Sequence, residues 1–374
     1  MALDLRFRRE AGKKSFTLVE MLVAIAIFSI LLILSVSIIS QTRKVWVYSN
    51  SKMSQGREAR VAFNSLVSRL SEATVNPYYG YTFSATGTTV PITYLPNSYV
   101  RRSELRFISG LSTNINTTVN TPVVTSPTDA VFFSAPLGVV SNSTTYGHLP
   151  SLLNVCGFYI QWTNVDPNRP SIMPASTAPY RFCLMQFIQP AESMSVYSQT
   201  VPFSTSNTNG NYPTYNFVTG TSWQNTAMAN SAATGVRPIA ENVVALLLLP
   251  ATNSIDGSGT LAPNFLYNSE VAPPGATPAT TPVNRTPPVM RVVMYTIDDA
   301  SAKKLPQSST MPNLYVDTSS NPLFLNSSVL FPNSTTGDIG DLARFEASLN
   351  SKHLIYRRFD AAIDLPSQPW NIRN

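Results

Sequence analysis

The side chains that most often bind metals or act as nucleophiles are scarce in this 374-residue chain, which has two cysteines and two histidines. His148 and His353 have no cysteine or carboxylate at a metal-ligand spacing, so the sequence predicts no metal site, no cofactor and no catalytic group. Cys156 and Cys183 each fall within a strand-like run. Two interpretations stay open for them: two buried thiols, or a cross-strand disulfide of the kind that forms in an oxidising compartment.

One carboxylate has an unusual position in the sequence. Residues 16–39 read FTLVEMLVAIAIFSILLILSVSII and contain a single charged residue, Glu20. As a helix this run is about 36 Å long, enough to cross a hydrocarbon layer of ~30 Å. A carboxylate inside such a span costs at least about 2.5 kcal/mol, which indicates that it has a partner. Thr17 and Glu20 also fit the capping box S/T-x-x-E, which is a purely structural alternative.

A short basic leader precedes the apolar run. Residues 1–15 hold five Lys or Arg against two acidic residues and end in Lys13-Lys14-Ser15, directly before Phe16. No small-residue cleavage site follows the apolar run, which argues against an ordinary secretory signal peptide. Basic residues flank the run in nearly equal number on both sides, so charge alone does not orient it.

The net charge gives no sign of a nucleic-acid partner. The whole chain carries +6, and removing the five basic and two acidic residues of the leader leaves +3. Several of the remaining basic residues lie just after the apolar run, so the rest of the chain is nearly neutral. A nucleic-acid binder would need a dense basic face, and we predict no such interaction.

The basic leader, Phe16, the Thr17–Glu20 spacing and the long apolar run together resemble the cleavage and methylation signal of type IV prepilins and pseudopilins. The resemblance implies that a prepilin peptidase cuts between Ser15 and Phe16 and methylates the new amine of Phe16. Ser15 departs from the glycine usual at that position. The resemblance also implies that Glu20 pairs with the N-terminus of a neighbouring pilin or pseudopilin subunit during filament assembly.

The same resemblance implies a location and a role. The chain would be a single-pass protein surrounded by the lipid of the inner membrane, with a cytoplasmic leader and a periplasmic C-terminal domain. It would be a structural subunit of a type IV pilus or a type II secretion-like filament, not an enzyme. The lack of proline in the apolar run and the segment RVAFNSLVSRL (60–70) resemble a minor pseudopilin of the J type.

The helix is expected to continue beyond the apolar run. Apolar residues recur with helical spacing on one face, at Ala59, Phe63, Leu66, Val67 and Leu70. Proline first interrupts at Pro77. The sequence therefore predicts one helix over Phe16–Val75, about 90 Å long, with an amphipathic second part that packs on a globular domain.

The remainder predicts an α+β fold, in which the long helix packs on an antiparallel β-rich domain with long polar loops. The predicted strands are Glu104–Ile108, Ala130–Ala135, Gly157–Trp162, Arg181–Ile188, Val243–Leu249, Val289–Ile297 and Leu354–Phe359. Val243–Leu249 is nearly all apolar, as expected for a strand covered on both faces. A late helix is predicted over Asp341–Leu349, capped by Asp338 or Asp341. The predicted segments are a leader (1–15), a transmembrane helix (16–40), its amphipathic continuation (41–76) and the β-rich domain (77–374).

A second resemblance covers most of the chain. Segments such as RRSELRFISG (101–110), NVCGFYIQW (154–162) and AENVVALLLLP (240–250) are similar to the Verru_Chthon cassette protein C family. That family implies no biochemical activity. The competing functional hypothesis is a membrane-anchored, adhesin-like binding module, which would use the long polar loops and the aromatic cluster Tyr78-Tyr79-Gly80-Tyr81.

Overall fold

The structure, a computed structural model, describes residues 17–84, 95–103, 105–112, 115, 126–147, 149, 151–164, 179–194, 235–252, 261–269, 283–332 and 337–365. The chain divides into two compact units, residues 1–54 and residues 55–374. The fold is α+β, as predicted: one long helix and three antiparallel sheets account for most of the described regular structure.

The long helix, α1, extends over Leu18–Ser71. Its 54 residues correspond to about 81 Å, and it ends four residues before the predicted Val75. After α1 the backbone leaves the helical path because Thr74 N–H donates to Ser134 O at 2.8 Å. A tertiary hydrogen bond therefore sets the helix end, ahead of the Asn76-Pro77 signal in the sequence.

The described residues form eleven strands: β1 (Tyr78–Ser84), β2 (Leu95–Arg102), β3 (Phe107–Leu111), β4 (Asp129–Ala135), β5 (Asn154–Thr163), β6 (Arg181–Gln189), β7 (Val236–Glu241), β8 (Val243–Ala251), β9 (Tyr267–Asn268), β10 (Val289–Ile297) and β11 (Tyr356–Asp364). One sheet has six strands in the order β7-β6-β5-β4-β3-β9. A second has three in the order β11-β10-β8, and β1 pairs with β2 in a separate ribbon. The described residues also include the helices α2 (Ser143–Tyr146), α3 (Asp299–Ala302) and α4 (Asp341–Ser351), and 3-10 turns at Ala191–Ser193 and Ser327–Val329.

The capping prediction for the last helix is wrong. The N-cap of α4 is Gly340, which has no side chain to cap the helix. Asp338 accepts a hydrogen bond from Gly340 N–H at 2.9 Å, and Asp341 accepts one from Phe324 N–H at 3.0 Å. Both carboxylates therefore bind backbone amides of the chain that precedes the helix.

Strand β8 is covered on both faces, as its composition predicts. On one side of its sheet, α1 packs against β11, where the rings of Phe63 and Phe359 lie 5.5 Å apart. On the other side, α4 packs through Phe345, whose ring meets that of Tyr295 edge-on at 5.2 Å. The side chains of β8 are all buried between these layers.

The guanidinium of Arg357 on β11 lies beside Gly56 of α1. A Cβ at position 56 would lie 2.7 Å from Nη1 of Arg357. Because this atom is the end of a flexible, exposed side chain, it can move aside for a larger residue. A glycine inside a helix costs about 1 kcal/mol relative to alanine.

A single residue moves the chain from one sheet to the next. Strands β7 and β8 are separated only by Asn242, which has a left-handed backbone with φ of 60°. Asn242 Oδ1 accepts a hydrogen bond from Arg181 Nη1 at 3.0 Å, which holds this corner against β6. Asparagine adopts left-handed backbone more readily than other residues with a Cβ.

Side chains form hydrogen bonds with the backbone groups along the outer edge of β8. The N–H groups of Leu246 and Leu248 donate to Thr128 Oγ1 at 3.0 Å and to Asp129 Oδ2 at 2.7 Å. The hydroxyl of Tyr315 donates to the carbonyl oxygen of Val244 at 2.7 Å. Because an unpaired backbone group is costly where water is absent, these side chains replace a fourth strand of this sheet.

Asp129 is completely buried at this edge, and its burial raises the pKa of the carboxyl well above the usual value, against the smaller opposing effect of the Leu248 N–H. The folded protein then binds a proton that the unfolded chain releases above about pH 4. The unfolding free energy should therefore fall as pH rises toward the folded pKa, by up to about 1.4 kcal/mol per pH unit. Asp129→Asn keeps an acceptor for Leu248 and should lose this slope in denaturant titrations of the full chain in detergent.

The matched control is Glu72→Gln, which changes an exposed carboxylate in the same unit. This control should retain the wild-type pH dependence between about pH 5 and about pH 8. An Asp129→Asn variant with the wild-type slope would show that Asp129 is not the group that binds the proton.

Candidate functional site

The start of α1 is a reciprocal capping box. Glu20 Oε2 accepts hydrogen bonds from the Thr17 N–H at 2.9 Å and from the Thr17 hydroxyl at 3.1 Å. In return, Glu20 N–H donates to Thr17 Oγ1 at 3.3 Å. These bonds satisfy amide groups that have no partner inside the helix. The structural alternative for the Thr17–Glu20 spacing is therefore present, and it places a carboxylate at the positive end of the helix dipole.

The helix that follows is apolar on every side. Residues 17–46 are all exposed, and Leu18–Trp46 is long and apolar enough to cross a membrane. The hydroxyls of Ser29 and Ser35 donate to the carbonyls of Ile25 and Leu31, each at 2.8 Å. Hydroxyls bonded back to their own helix need no water, so the segment is suited to an apolar environment. Glu20 is its only charged residue before Arg43.

The predicted processing residues Ser15 and Phe16 lie outside the described residues, as does the leader. Thr17 is the first described residue, and it begins the capping box as the second residue after the predicted cut. The sequence places Glu20 as the fifth residue of a chain that starts at Phe16. Among the predicted site residues, only Glu20 therefore has a described geometry at this end of the chain.

The comparisons with known proteins agree with this part of the sequence. A family model described as the prokaryotic N-terminal methylation motif matches residues 11–36. The chain carries a type IV pilin-like precursor signal. The match covers the end of the leader, the predicted cut and most of the apolar run. No curated protein and no solved structure matched the chain.

Of the two interpretations left open for Cys156 and Cys183, the structure has the buried thiols. Both cysteines are free and buried. They lie on neighbouring strands, but Cys156 is opposite Ile188 and Cys183 is opposite Gln161, so the pairs are five positions apart. Their side chains also point to opposite faces of the sheet, Cys156 into the main core and Cys183 into a smaller cluster behind it. Burial raises the pKa of the Cys156 thiol to about 12, which keeps it neutral.

The two histidines are the other residues that the sequence analysis considered as possible metal ligands. His353 is exposed, and its carbonyl accepts a hydrogen bond from Lys304 Nζ at 2.6 Å. His148 lies outside the described residues. Within the described part of the chain, no group of three or more His, Cys, Asp or Glu residues could hold a metal ion.

The capping box predicts a local effect at the helix start. Thr17→Val removes the acceptor for Glu20 N–H. Because such a cap stabilises a helix by about 1 kcal/mol, the amide hydrogen of residue 20 should exchange with solvent about fivefold faster. Glu20→Gln should change this exchange rate less than about twofold, because glutamine also serves at this capping-box position. Hydrogen exchange of the full chain in micelles measures both.

Ser29→Ala is the matched control, since it removes a hydroxyl bonded within the middle of the same helix. Exchange at residue 20 should not change in this variant. Unchanged exchange in Thr17→Val as well would show that the capping box does not stabilise the helix start.

Proposed function

We propose that this chain is a structural pilin-like or pseudopilin-like subunit of a type IV pilus or a type II secretion-like filament. A prepilin peptidase cuts between Ser15 and Phe16 and methylates the Phe16 amine. The apolar half of α1 then holds the subunit in the inner membrane, with the β-rich domain on the periplasmic side. The observation that carries the proposal is the methylation motif at residues 11–36, which coincides with an apolar helix start that contains one carboxylate.

Glu20 has two roles in this proposal. In the single chain it closes the capping box with Thr17. In a filament its charge faces the cationic N-terminus of a neighbouring subunit. Burying both charges together offsets much of the cost of burying either alone, and such pairs are known to fix register between helices. Removing one partner of a buried pair costs about 3–5 kcal/mol, so the charge is decisive for incorporation.

The finer assignments are part of the same proposal. The uninterrupted helix and the segment 60–70 favour a minor pseudopilin of the J type. Similarity of several strand segments to the Verru_Chthon cassette protein C family supports a pilin-like protein from a large, diverse group.

The first test is the N-terminus of the native protein. Mass spectrometry of the protein isolated from membranes should find a chain that begins with N-methylated Phe16. Replacing Phe16 with a charged residue should leave the leader attached. A native protein that still begins at Met1 contradicts the proposal.

The second test separates charge from capping. Glu20→Gln keeps the capping geometry but cannot neutralise a cation. Because it leaves a buried charge unpaired, it should lower the fraction of the protein found in filaments by about 100-fold or more. Thr17→Val keeps the charge and loses the cap, and it should incorporate within about tenfold of the wild type. Immunoblots of sheared filaments and of membranes measure both fractions, while cleavage stays normal in each variant.

The opposite ranking would assign Glu20 a capping role only. Incorporation of both variants at the wild-type level would remove Glu20 from assembly altogether.

A further inference from the structure

Positive charge without a counter-charge follows the apolar run. Arg43 and Lys44 are both exposed, and neither takes part in any ion pair among the described residues. The sequence from Met21 to Arg57 contains no Asp or Glu. No acidic side chain of the same helix is therefore three or four positions from either cation, where a helical ion pair would form.

The helix places these cations at a defined distance beyond the end of the apolar run. Arg43 and Lys44 follow Ile39, the last residue of the apolar run, by four and five residues, which is about 6 and 7.5 Å along the axis. The polar layer on each side of a bilayer is about 5–7.5 Å thick. If the apolar run fills the hydrocarbon layer, both cations lie at the level of the lipid phosphates.

Trp46 supports the same height. Its side chain is 66% exposed and that of Val45 is 68% exposed, so no part of the described chain covers them. Tryptophan is enriched at the boundary between membrane and water, where its ring meets apolar chains and its N–H meets polar groups. Arg43 and Trp46 are three residues apart and lie on the same side of the helix.

We propose that Arg43 and Lys44, with Trp46 beside them, form a binding site for the phosphate groups of anionic phospholipids in the leaflet at the C-terminal end of the membrane span. The site rests on the proposed function, since it requires the helix to cross a membrane. It holds the subunit at a fixed depth before assembly. Each cation near an anionic surface contributes enough to change lipid preference about fivefold.

Two basic residues farther along the same helix provide a matched control. Arg57 and Arg60 are also exposed, but they follow Ile39 by 18 and 21 residues and belong to the second compact unit. A helical segment of 18 residues is about 27 Å long, which is well beyond the Debye length of ~8 Å at physiological salt. Removing their charges should therefore leave lipid preference unchanged.

The experiment uses the full chain reconstituted with equal amounts of phosphatidylglycerol and phosphatidylcholine. After mild detergent extraction, native mass spectrometry counts the retained lipids of each kind. The wild type should retain phosphatidylglycerol preferentially, and Arg43→Gln/Lys44→Gln should reduce this preference by roughly fivefold per residue. Arg57→Gln/Arg60→Gln should stay within about twofold of the wild type.

Four outcomes would overturn the site. Equal retention of both lipids by the wild type, or equal loss in both double variants, would show no specific headgroup binding. Loss of the preference on addition of excess inorganic phosphate would identify a free-phosphate site instead. Release of the chain from membranes by alkaline carbonate would refute the membrane span and the proposed function, whereas a membrane-retained chain without lipid preference refutes this site alone.

Discussion

One helix in this protein has to be stable in two surroundings. The residues of α1 up to Trp46 are exposed on every side, and those from Met21 to Ile39 are apolar except for three serines. From Ala59 onward one face of the same helix is buried in the core of the second unit. A helix can serve both surroundings because its backbone groups bond to one another, so only the side-chain pattern has to change along its length.

Polar groups in the apolar part of α1 and in the core of the second unit both form hydrogen bonds within the protein, but with different kinds of partner. In the apolar half, the hydroxyls of Ser29 and Ser35 bond to their own helix, and Glu20 bonds to Thr17. In the core, Asp129 accepts a backbone N–H, and its burial raises the pKa of the carboxyl. The two carboxyl groups differ in consequence. Asp129 has a permanent place in the fold of one chain, whereas Glu20 is exposed and can meet another chain.

Charged residues are few in this protein, so the positions of those without an ion-pair partner are informative about function. Only 12% of the residues are charged, and several of them form local networks, such as Arg181 with Asp299 at 2.8 Å and Arg291 with Asp360 at 2.9 Å. The exposed cations Arg43 and Lys44 stand apart from such networks. Under the proposed function, a subunit needs both a depth in the bilayer and a register in the filament. Glu20 and Arg43-Lys44 lie at opposite ends of the apolar run.

The sequence by itself determined the features that depend on neighbouring residues. Helical periodicity predicted α1 and its change of character, and Val289–Ile297 was predicted with its observed bounds because an apolar strand shows in local composition. The Thr17–Glu20 spacing likewise predicted the capping box. Tertiary structure alone decided the features that depend on distant residues. The helix ends at Ser71 because Thr74 bonds to Ser134, and strand β7 (VRPIAE) exists because β6 offers it an edge. The separation of Cys156 from Cys183 follows from strand register and face, which alternation within each strand cannot reveal.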